Sequence, residues 1–156
     1  MKHYASTEDQ AFLRAFESLA VAPEEFDHSA HVRLAYVYLC EHSIDAAADK
    51  MKQPLLAFLS HLDVDESKYH ETVTRAWTMA ASYFMNQSKD CNSAAVLISG
   101  NPQLLDTKIM LTHYSAQILF SSEARQSFVA PDIPSIPPSN GRPTNRSMHV
   151  AIATRH

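Results

Sequence analysis

Glycine is the scarcest structural resource of this chain: 156 residues contain only Gly100 and Gly141. A phosphate-cradling P-loop and a GxGxxG dinucleotide fingerprint each need more glycines at closer spacing, so both are excluded. Barrels and sandwiches rich in tight hairpins are disfavoured for the same reason, because their turns require residues that accept positive φ. Cysteine is nearly as rare. Cys40 and Cys91 fit no zinc-ligand spacing and are predicted to be free thiols of a cytoplasmic protein. The formal charge is −4 and there is no long basic run, so nucleic acid is not an expected partner. No apolar stretch approaches the 18–20 residues of a membrane span. Met1 to Asp9 has no apolar core of the kind a signal peptide carries. The length suits one domain, large enough to fold without staples.

What the chain does have is helical periodicity. Ser6 with Asp9 three positions on is an N-cap signature, and Phe12, Leu13, Phe16 and Leu19 predict a helix over 7–20, ended before Pro23. Asp27 is a natural cap for a helix over 28–42. Ser43 opens a third helix, which Pro54 must kink or split. Tyr69, Val73, Ala76, Trp77, Ala80 and Phe84 mark a fourth over 67–86. Shorter helices follow over 93–98, from Leu104 to near Tyr114, and over 121–129. The expected fold is all-α: a compact single-domain bundle of about five to seven short helices occupying 1–130. Residues 131–156 hold five prolines and three arginines and are expected to form an extended or disordered tail.

Nine histidines are many for this length. His28 and His31 are three apart and so share a helix face, where two imidazoles can meet one metal ion. A second constellation, Tyr69-His70-Glu71-Thr72-Val73-Thr74-Arg75, opens the fourth helix. It adds a third imidazole and a carboxylate suited to acid–base work. Plainer roles fit the same residues: solvated first-turn histidines, a capping His70, and a Glu71–Arg75 ion pair one turn apart.

These residues resemble a family of short, mostly uncharacterised bacterial proteins. The first shared block is F-x-H-x-x-H-[VIL]-R-[LV]-A, here Phe26 to Ala35. The second is K-[YF]-H-E-T-[VIL]-T, here Lys68 to Thr74. The third is a Y-S pair followed by L-x-S-x-x-A-[RK]-x-x-F-x-x-P-D, here Tyr114, Ser115 and Leu119 to Asp132. The resemblance spans about 26–134. It departs at His113, where an aromatic residue is expected. It implies a helical fold and a polar site built from these blocks, and no particular reaction.

Two functional expectations follow. In the first, the protein is a small metal-dependent enzyme. His28, His31 and His70 hold zinc, iron or copper, and Glu71 or Asp27 serves as base or further ligand. Arg33, Tyr69, Thr74 and Tyr114 then bind a small polar or anionic substrate, in a hydrolytic or oxidative reaction. In the second, the same residues form a metal-free module that binds a small molecule or peptide.

Overall fold

The computed structural model describes residues 2–133, and the expected tail beyond that lies outside the described residues. The protein is all-α, with no strand among the described residues. Helix α1 spans Thr7–Glu17 and starts on a capping box: Asp9 N–H donates to Ser6 Oγ, while Ser6 N–H donates to the Asp9 carboxylate. It ends three residues earlier than the periodicity predicts. Leu19 turns into the left-handed region at φ 64°, which redirects its side chain onto the core instead of continuing the helix.

Helix α2 (His28–Leu39) is capped by Asp27, whose Oδ1 accepts the Ala30 N–H at 2.9 Å. Helix α3 (Ile44–His61) is capped by Ser43 and runs through Pro54 as one helix. The carbonyl that Pro54 leaves without a donor belongs to Lys50, on the exposed side, where water can reach it. Helix α4 spans Glu71–Gln87. The predicted start at 67 is a separate single 3-10 turn, Glu66–Lys68, so His70 is the N-cap of α4 and not a residue within it. Helix α5 (Ala94–Gly100) follows, and two short helices, α6 (Ala116–Leu119) and α7 (Ser122–Gln126), close the described chain.

The helix expected from Leu104 to Tyr114 is instead two 3-10 segments, Pro102–Leu105 and Thr107–Thr112. Asp106 interrupts them with an extended backbone and its own cap to the Lys108 N–H. Leu104 and Met110 still reach the core, and this burial holds an irregular backbone that local propensity alone does not favour.

The core explains the architecture. Along α2, Val32 and Tyr36 join α4 and the irregular segment in one apolar cluster. Leu34, Ala35 and Tyr38 join α1 and α3 in another. α2 is thus buried on both flanks and forms the centre of the bundle. The fully buried Ala76, Ala80 and Ala81 give α4 a small-residue surface on which α2 packs closely. His28, in the first turn of α2, touches Trp77 in the second turn of α4, while the Tyr36 hydroxyl near the end of α2 meets the carbonyl of Cys91, just past α4. The two helices therefore run in the same direction. Among the described residues no helix is long and apolar enough to cross a membrane. Cys40 and Cys91 are both unpaired thiols.

Candidate functional site

The histidines singled out above are mostly occupied in holding this fold together. His70 Nδ1 accepts the Val73 N–H at 3.1 Å, so Nε2 carries the proton and donates to the Leu119 carbonyl at 2.6 Å. One side chain thus caps α4 and ties it to α6. Burial lowers the affinity of His70 for a second proton, against the pull of the Leu119 carbonyl. His28 Nε2–H donates to the Leu104 carbonyl at 2.8 Å, and its ring stands edge-on to Trp77. The irregular C-terminal half has carbonyls that no helix satisfies, and the imidazoles supply their donors.

His31 is the exception. Its Nε2 is sealed from solvent and has no hydrogen-bond partner among the described residues. It lies near the Phe26 ring, at 6.2 Å between centroids. Burial, and secondarily the neighbouring His28, pulls this imidazole down to about 4.

A metal centre needs ring lone pairs. His70 has its only one engaged by Val73, and the donating Nε2 of His28 leaves that ring a single lone pair, at Nδ1. Among the described residues no three His, Cys, Asp or Glu side chains gather as a metal-holding group. The donor set as folded does not fit a three-imidazole centre. We expect His70→Ala to lower stability by about 2 kcal/mol, one cap plus one part-buried tertiary hydrogen bond. Urea unfolding checks this. A loss below about 0.5 kcal/mol would show that the imidazole contributes little to the fold.

The remaining expected site residues separate into different regions. The Glu71 carboxylate accepts from the Tyr69 hydroxyl at 3.1 Å and stands 3.7 Å from Lys52 and 3.8 Å from Arg75. Arg75 also bridges to Asp45 and Asp49. This network closes α3 against α4, and its exposed members contribute little energy each. Tyr114 is fully buried and donates to the Val129 carbonyl at 2.7 Å. Thr74 is buried too, and its carbonyl accepts from Thr78. Neither is placed to meet a ligand from solvent.

Asp27 and Arg33 do lie together, on a cleft of about 750 Å³ between α1, α2 and α5. Arg33 is built into place. Its Nε donates at 2.8 Å to Asp9, whose side chain is only 3% exposed, and its guanidinium carbon lies 4.7 Å from the centre of the Phe12 ring. Asp9 also accepts the Ala94 N–H at 2.9 Å. Burial opposes ionisation of Asp9, but the N–H groups of Ala94 and Ser6 and the Arg33 guanidinium outweigh it and hold the carboxyl below its ordinary value. The two terminal nitrogens of Arg33 meet no acceptor among the described residues, on a side chain about one-third exposed. The exposed residues Glu8, Glu25 and Asp27 line the same cleft, with Glu25 and Asp27 each accepting one backbone N–H, from Ala22 and Ala30. Sequence reading found Arg33 and Asp27 but not the role of Asp9 or Phe12. The capping signature at Ser6 and Asp9 was visible, but it does not reveal that the same carboxylate reaches α2 and α5.

Compared with protein-family models, curated proteins and solved structures, the chain matches none of them significantly. The resemblance noted from the three blocks therefore rests on those residues alone, and most of them perform structural tasks here.

Proposed function

We propose that the protein is a metal-free binding module for a small zwitterion, taken up in the Arg33 cleft. The observation that carries this is the fixed guanidinium. Asp9 and Phe12 restrain it, and its terminal N–H groups are left to donate to a carboxylate of the ligand. A guanidinium held this way loses little entropy on binding. The acidic rim disfavours a ligand that carries only negative charge and favours one whose other end is an ammonium group. The cleft volume is in the usual range for small-molecule sites.

Calorimetric titration with α- and ω-amino acids tests this, with butyrate and butylammonium as single-charge controls. At least one amino acid should bind at least tenfold more tightly than both controls, a difference of about 1.4 kcal/mol. Arg33→Gln should abolish that binding while leaving the far-ultraviolet spectrum unchanged. Binding that survives Arg33→Gln, or no binding by any member of the panel, would overturn the proposal. Stoichiometric uptake of zinc, iron or copper by untagged protein below about 10 µM would favour the metal-dependent enzyme instead, and would require His70 to give up its bond to Val73.

A further inference from the structure

α1 is the shared wall of two clefts of opposite character. On the side away from Arg33, a larger cleft of about 920 Å³ lies between α1, the end of α2 and the C-terminal part of α4. Its floor has an apolar strip flanked by the polar side chains of Gln10, Ser43, Ser82 and Asn86. Val37, Ile44 and Met85 are buried there, and Leu13 is half-buried beside them. Its rim carries the cations Lys2 and Arg14 against the acid Glu41, and the Asp90 carboxylate accepts the Lys2 backbone N–H at 2.8 Å. The side chains of Lys2 and Arg14 have no acidic partner among the described residues. Both are exposed and at liberty to fold over the mouth of the cleft.

From this apolar strip and cationic rim, we infer that the cleft is a second binding site, taking a small amphipathic anion whose apolar body lies on Leu13, Val37, Ile44 and Met85 and whose charge meets Lys2 and Arg14. The charge pattern decides the class. A neutral apolar ligand would leave the cations unused, and a fully polar anion would leave the floor wet. A zwitterion suited to the acidic Arg33 cleft has no apolar body to lay on Leu13, Val37, Ile44 and Met85, so the two sites favour different ligands.

Anilinonaphthalene sulfonate is a fluorescent amphipathic anion and serves as the probe, with decanoate below its micellar concentration as competitor. The native protein should enhance probe fluorescence with one saturable site, and decanoate should displace the probe. The double variant Lys2→Glu/Arg14→Glu should bind the probe at least tenfold more weakly, and the amino acids that bind in the Arg33 cleft should not displace the probe. Cys40 supplies an independent readout, because its half-buried thiol lines the cleft whereas Cys91 is 4% exposed. Burial raises the Cys40 thiol to about 11, so its labelling is slow and is followed with the neutral, thiol-selective reagent iodoacetamide at mildly alkaline pH. Decanoate should slow that labelling severalfold. No saturable fluorescence, no displacement by decanoate, undiminished binding by the charge-reversed variant, or Cys40 labelling indifferent to decanoate would each overturn the inference. Displacement of the probe by those amino acids would do so as well, because it would place the probe in the other cleft.

Discussion

Asp9→Ala should lower the thermal midpoint by about 10 °C. Asp9 accepts from Ser6 N–H, Ala94 N–H and Arg33 Nε, so its removal leaves three donors without an acceptor. The Ala94 amide is buried and has no water to replace the lost carboxylate. Stranding the buried Ala94 N–H costs about 1–3 kcal/mol, and the lost cap and the lost bond to the partly exposed Arg33 add about 1 kcal/mol each, while in a domain of this size each kcal/mol shifts the midpoint by about 2–4 °C. Asp9→Asn should fall between wild type and alanine, since one amide oxygen can still accept but the charge is gone. The same variants should weaken any ligand that needs Arg33, because the guanidinium loses the anchor that fixes it. A midpoint shift under about 3 °C for Asp9→Ala would show that the carboxylate does not join α1, α2 and α5 as the hydrogen bonds indicate.

Acidification should destabilise the protein well above the range where carboxylates protonate. The imidazole of His31 is held near 4 in the folded state, against an ordinary 6.5. Between these values the unfolded chain takes up a proton that the native protein does not. The contribution is therefore absent above about pH 6.5, grows as pH falls, and is complete below about pH 4. From pH 7 to pH 5 it amounts to about 2 kcal/mol. His70 adds to it with the same sign, because its folded value is lowered as well. His31→Leu should remove most of the slope and raise stability at pH 5, since leucine fills apolar space beside Phe26 without a sealed, unpartnered nitrogen. Urea unfolding of both proteins at pH 7 and pH 5 decides the matter. Equal pH dependence in wild type and His31→Leu would mean that His31 has a partner for its proton in solution.

Much of the fold was legible because it is local. Ser6, Asp27, Ser43, Ser93 and Ser121 cap helices as their sequence positions suggest, each accepting a backbone N–H three residues on. The apolar spacing of α4 also carried through to buried positions. The segment from Leu104 to Tyr114 was misread for a physical reason. Its successive apolar groups, Leu104-Leu105, Ile109-Met110-Leu111 and Tyr114, are three to four positions apart, which an α-helix and a pair of 3-10 turns satisfy almost equally. Asp106 breaks the tie by capping Lys108, and the imidazole of His28 then stabilises the carbonyl of Leu104.

By itself, then, the sequence determined an all-α domain, its caps and most of its core faces, since capping and helical periodicity act within a few residues. Only the tertiary structure decided what the polar residues do. His28 and His70 sit in conspicuous blocks, yet each meets a carbonyl 76 or 49 positions away, which spacing cannot reveal. Asp9 looks like an ordinary cap until α5 brings the Ala94 amide to it from 85 positions on. Which lone pair is engaged, which nitrogen is sealed from water and which guanidinium faces a cleft are matters of long-range packing. Those partners become neighbours only when the chain has closed around α2.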